Sequence, residues 1–131
     1  MHIFPIRLRP NSDLRHSLEA LVQDQEWSSA FIVSAVGSLK VAQLRMAGAS
    51  ETVQKQGPFE IFALNGTLSS SGVHLHIGLS DAEGVCIGGH LCHGSLIYTT
   101  AEIVIGVSNE HTFERTLDPQ TGYPELTITP R

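Results

Sequence analysis

Apolar and polar positions follow two different periods along this chain. Residues 3–8 alternate with β character and stop at Arg9-Pro10. Asn11-Ser12-Asp13 then offers a run of N-capping side chains, followed by Leu14, Leu18, Leu21 and Val22. That i, i+4, i+7, i+8 spacing places one apolar stripe on a helix and predicts it over residues 12–25. No later segment repeats the pattern, so one principal helix is expected.

From Trp27 onward the pattern is that of strands. Residues 30–36 form a β-branched and aromatic run that is expected to stop at Gly37-Ser38, and residues 39–46 alternate again. Residues 47–57 are small and polar, which predicts a loop or a ragged edge strand. Residues 59–68 are almost continuously apolar, as in a strand buried on both faces. Residues 73–79 and 85–91 flank Ser80-Asp81-Ala82-Glu83-Gly84 and predict a hairpin. Residues 95–107 form a long β run. Residues 108–131 read as a polar tail with one short strand at Leu126-Thr127-Ile128. One helix and about seven antiparallel strands make an α+β domain with the helix on one sheet face. A length of 131 residues fits a single domain, 1–131, able to bury a core of its own.

Charge narrows the choice of partners. There are 8 Lys and Arg against 13 Asp and Glu, a net charge of −5, which opposes unaided grip on the phosphates of DNA. Charged residues are only 16% of the chain, so part of the surface is expected to be covered by further copies of the same chain. No run of 18 apolar residues exists, and residues 1–7 lack the apolar stretch of a secretory signal. Cys86 and Cys92, six apart, form neither a CxxC pair nor a disulfide framework. A cytoplasmic location with reduced, inert thiols is therefore expected.

The chemistry gathers at histidines. His74 and His76 lie two apart on a predicted strand, so both project from one face. A four-residue loop, Asp81–Gly84, would pair Ser80 with Val85 and set His90 opposite Leu75. A one-residue bulge at Gly88-Gly89 would then bring His90 level with His74 or His76. Three nitrogen donors with an open fourth position suit zinc, and also nickel, cobalt or iron. Each donor must be neutral to bind, which makes such a site pH-sensitive. His93 and Cys92 are nearby further candidates. The plain alternative is a half-buried polar face, a common role for a histidine pair on a strand. Glu102 is the other candidate, a carboxylate inside an apolar strand. It would orient a ligating histidine, serve as a general base, or simply face solvent or a subunit interface. No GxSxG elbow, P-loop or dinucleotide-binding glycine fingerprint is present.

The segment Val73-His74-Leu75-His76-Ile77-Gly78-Leu79-Ser80-Asp81, followed by Gly84, Gly88-Gly89-His90-Leu91, Gly94 and Thr100-Ala101-Glu102, resembles the prokaryotic plants-and-prokaryotes-conserved (PPC) domain proteins. The likeness extends to Gly37-Ser38-Leu39, Leu44-Arg45 and Gly57-Pro58-Phe59-Glu60-Ile61. It closes with Arg115-Thr116-Leu117-Asp118 and Gly122-Tyr123-Pro124-Glu125-Leu126, so it covers essentially the whole chain. The resemblance implies an antiparallel sheet with a flanking helix, assembly as a homotrimer, and in some members a metal on histidines that map to His74, His76 and His90. Plant members carry the domain behind a basic AT-hook, and prokaryotic ones are commonly labelled as DNA-binding. No Arg-Gly-Arg segment is present here, which removes the physical carrier of that label. Three functions are thus in view. The first is a trimeric divalent-metal protein, with catalysis through a metal-bound water left open. The others are a DNA-associated regulator and a non-catalytic trimeric scaffold for a protein or small ligand.

Overall fold

The structure is a computed structural model that describes all 131 residues. The chain runs β1 (His2–Leu8), α1 (Leu14–Asp24), β2 (Ala30–Arg45), β3 (Thr52–Ser69), β4 (Gly72–Ser80), β5 (Cys86–Leu91), β6 (Leu96–Val107), β7 (His111–Leu117) and β8 (Pro124–Pro130). This is an α+β fold with one helix and a mainly antiparallel sheet, as the two periods require.

α1 begins where the capping residues placed it. Asp13 accepts the His16 N–H at 3.0 Å through one carboxylate oxygen and the Gly94 N–H at 2.7 Å through the other. The cap therefore satisfies a free helix donor and also ties the helix start to the segment before β6. Leu14, Leu18 and Val22 are fully buried, and burial of such side chains is worth roughly 2 kcal/mol each. The helix ends at Glu26, which adopts a left-handed φ of 53° while the Trp27 N–H returns to the Val22 carbonyl at 3.1 Å.

The main sheet has the order β1-β6-β2-β3-β4-β5, and β7 with β8 forms a separate two-stranded sheet. β5 also returns to β2 through Leu44↔Leu91 and Arg45↔His90. β2, β3, β4 and β5 thus close on themselves around an apolar interior that includes Leu39, Leu44, Leu64, Leu75, Leu79 and Leu91. α1 packs against β3 and β4.

Three expectations are corrected and one is narrowed to a single alternative. β2 does not stop at Gly37-Ser38, because Gly37 pairs with Ile61 on one side and Ala101 on the other. Of the two alternatives for residues 47–57, the edge strand holds for residues 52–57: Thr52–Gln56 pair with Val41–Arg45, and β4 joins β3 only from Glu60. The 59–68 segment is buried on one face only: Phe59, Ile61, Leu64 and Leu68 point inward while Phe62 is 58% exposed. The polar tail is a regular hairpin, with β7 and β8 paired from His111↔Pro130 to Leu117↔Pro124.

Gly66 on β3 shows how closely the strands beneath the histidines approach. Its φ is +154°, and a Cβ there would lie 1.9 Å from the His74 carbonyl oxygen. Gly84 also has a positive φ, +81°, but open space around it. Gly66→Ala is expected to lower stability by about 2 kcal/mol or more, and Gly84→Ala by only about 1 kcal/mol. Urea midpoints of the two variants check this; equal losses would show that β3 and β4 are not in close contact at His74.

Candidate metal centre

Alternation on β4 decides which side chains leave the core. Val73, Leu75 and Ile77 are buried, whereas His74 and His76 between them are exposed on the opposite face. His90 joins them through a regular ladder in which His76↔His90, Ile77↔Gly89 and Gly78↔Gly88 are paired. The expected bulge at Gly88-Gly89 is absent. Ser80 pairs with Cys86, not Val85, so the connection is the five residues Asp81–Val85. One carboxylate oxygen of Asp81 accepts the Glu83 and Val85 N–H groups, both at 2.9 Å, and the Asp81 N–H donates to the Val85 carbonyl. The longer turn supplies the one-residue shift that a bulge was expected to make.

The three rings converge. One ring nitrogen from each of His74, His76 and His90 lies within 4.8 Å of the other two. The Nε2 atoms of His74 and His76 are 3.2 Å apart. Two nitrogens on one tetrahedral ion stand about 3.3 Å apart, from bonds of ~2.05 Å. Ring centroids are separated by 4.9, 5.2 and 5.8 Å. Nδ1 of His90 is buried with no hydrogen-bond partner, an orphan that is costly unless something completes it. The set can hold a divalent cation.

Arginines surround it. Cross-strand pairing gives the row Asn65↔His76↔His90↔Arg45, from β3 through β4 and β5 to β2. Arg15 of α1 places Nη1 3.3 Å from His90 Nε2, donates to the Leu91 carbonyl at 3.0 Å, and pairs with Glu19 at 2.9 Å. Arg115 of β7 donates to Thr67 Oγ1 at 2.8 Å and lines a hollow with His74, His76 and Glu125. Burial, followed by Arg45, His74, Arg15 and His76, lowers the His90 pKa to about 4. Burial, then His76 and Arg115, also holds His74 below the ordinary value. Neutral rings, the form that binds metal, thus prevail at His74 and His90 at neutral pH.

The remaining candidates lie elsewhere. His93 directs Nε2 to Glu19 Oε2 at 2.7 Å and does not join the three rings. Burial raises the Glu19 pKa, but hydrogen bonds to His93 and Arg15 outweigh it and leave the carboxyl below its usual range. Cys92 Sγ faces the His90 carbonyl at 3.6 Å, and Cys86 is exposed. Glu102 stands between Arg7 and Val36 in the sheet and lines a separate hollow with Glu60, Asp81 and Tyr98, away from the three histidines of its own chain. Sequence reasoning missed Arg15, Arg45, Arg115 and Glu125 as neighbours of the site. A signal for the last two existed: Asp118-Pro119-Gln120-Thr121-Gly122 is turn composition between two alternating runs, which marks a hairpin.

The depressed pKa values fix a pH response. In the unfolded chain these rings take protons near pH 6.5, while folded His90 resists until about pH 4. Between those values the unfolded state binds more protons, so stability present above pH 6.5 is lost as pH falls through about 4. Urea midpoints of chelator-treated protein at descending pH are expected to fall less steeply for His90→Gln than for the parent. Parallel slopes would contradict the buried, arginine-flanked setting of His90.

Comparison with known proteins agrees with this architecture. The family model of the Plants and Prokaryotes Conserved (PCC) domain matches residues 1–109. The chain is 48% identical over 128 residues, 98% of its length, to the bifunctional protein GlmU of Synechococcus sp. (strain JA-3-3Ab), of which it spans only 21%. A solved structure of a hypothetical protein from Salmonella cholerae-suis is 40% identical, with a TM-score of 0.97 over 99% of this chain and 94% of that one. A metal-containing protein from Archaeoglobus fulgidus is 28% identical, with a TM-score of 0.79 over 97% and 94% of the two chains. With the fold and the matched segment in agreement, the chain belongs to the Plants and Prokaryotes Conserved domain family.

Proposed function

We propose that this chain is a divalent-metal-binding protein that works as a homotrimer, with His74, His76 and His90 as the ligands and zinc as the metal. The observation that carries this reading is the convergence of three ring nitrogens within 4.8 Å. The buried, unpartnered His90 Nδ1 supports it, as does the description of the Archaeoglobus fulgidus relative as metal-containing. Three protein ligands leave a fourth position for an oxygen donor, where a bound ion would supply Lewis acidity. The neighbouring chain then has defined tasks. The rings stay neutral, and the β7–β8 hairpin lines part of the hollow with Arg115 and Glu125. Elemental analysis of purified protein is expected to find about one zinc or similar ion per chain, lost in His90→Ala. Metal-free parent protein, even after reconstitution, would make the histidines a polar sheet face.

Assembly rests on a different surface. Val36 and Phe62 stand on the adjacent strands β2 and β3 and are 56% and 58% exposed. Val36 shares a hollow with Tyr98, itself 51% exposed. Large apolar side chains gathered on one sheet face are the kind that copies of a chain cover. Sedimentation is expected to give the mass of three 14.2 kDa chains, and Phe62→Glu to shift it toward one. A parent that sediments as a single chain would remove the trimer and leave this face unexplained.

A further inference from the structure

Two guanidiniums beside the histidines have no counter-ion. Arg45 and Arg115 are both half-buried, and neither has a carboxylate oxygen within 4.0 Å. Arg45 makes one side-chain hydrogen bond, from Nη1 to the Ala49 carbonyl at 3.5 Å, and Arg115 makes one, to Thr67 Oγ1. Each guanidinium carries five N–H donors in a planar fork, so most donors on both face open space. Arg15 differs, because Glu19 neutralises it and the Leu91 carbonyl occupies it. Two unpaired guanidiniums whose free donors line one hollow make a ready site for an anion.

The hollow has the dimensions of a ligand site. Arg45, His74, His90, Arg115, Tyr123 and Glu125 line a volume of about 460 Å³, within the range of small-molecule pockets. Its wall combines two forks suited to a planar oxyanion with the rings that face the open metal position. It also contains Glu125, whose one oxygen accepts the Thr121 hydroxyl at 3.2 Å. A carboxylate at the rim repels a doubly charged phosphate and favours a hydrogen-bond donor on the ligand. Arg115, Tyr123 and Glu125 come from the β7–β8 hairpin, beyond the residues 1–109 that the family model matches. The hairpin is thus placed to set selectivity over a metal centre built from the matched part.

We infer that this hollow binds a small carboxylate bearing an adjacent hydroxyl or amine, with Arg45 and Arg115 as the carboxylate forks and Glu125 as acceptor for the donor group. The inference rests on the metal-site reading for the role of the open position, but the arginine forks act with or without the ion. The test is calorimetric titration of glycolate, and separately of inorganic phosphate, into the full chain in zinc-loaded and chelator-treated forms. Parent protein is compared with Arg45→Met, Arg115→Met and the exposed, remote Arg9→Met, and zinc content is measured on the same samples. Loss of a charge-assisted fork is expected to weaken glycolate binding about tenfold or more in Arg45→Met and Arg115→Met, with Arg9→Met unchanged. Either arginine variant that keeps the parent's thermal unfolding suffices. No binding of glycolate by the parent, parent-like affinity in both variants, or tighter binding of phosphate than glycolate overturns the inference. Absence of zinc from the parent defeats the metal reading alone, because arginine dependence in the chelator-treated form still decides this one.

Discussion

The register of the β4–β5 hairpin is the constraint on which the site depends. Side chains on a strand alternate between faces, so a slip of one residue would turn His90 into the core and Leu91 outward. The five-residue turn Asp81–Val85 prevents that slip by local chemistry. The Asp81 carboxylate holds two backbone N–H groups that would otherwise be free to rearrange. Once His90 lies opposite His76, its other neighbour is fixed as well. β5 meets β2 at only two residue pairs, and one of them is Arg45↔His90. A turn of five residues therefore sets both the histidine set and the arginine paired across from His90.

What the sequence disclosed follows from how local each feature is. The helix was legible because Leu14, Leu18, Leu21 and Val22 repeat at helical spacing and Asp13 stands where a cap is needed. The face shared by His74 and His76 was legible for the same reason, alternation being a property of neighbours. The register of His90 was not, because composition alone does not separate a four-residue loop from a five-residue one. A bulge and a longer turn shift the ladder equally, and only the hydrogen bonds of Asp81 tell them apart. Arg45 and Arg115 were further from view. Each reaches the rings through a pairing between distant segments, β5 on β2 and the terminal hairpin against β3, and no window of sequence contains either contact. Thr52–Gln56 and β7 were hidden by polar side chains on paired backbone, where hydropathy measures the wrong group.

Arginines beside a cluster of histidines act in two directions. They add to burial, the larger cause, in holding His74 and His90 below their ordinary pKa, which keeps the rings in the form that accepts a cation. They also repel the cation those rings would accept. Glu125 offsets part of this, being the one neighbour that raises the His74 pKa, but it faces two unpaired guanidiniums. On the proposed reading the conflict resolves when an anion lies between the forks and the ion. Each charge then lowers the cost of holding the other, and by linkage the effect is reciprocal: whatever the anion adds to metal affinity, the metal adds to anion affinity. A histidine set flanked by carboxylates alone would bind its ion without regard to ligand. On the proposed reading, this one is arranged so that ion and ligand belong to the same equilibrium.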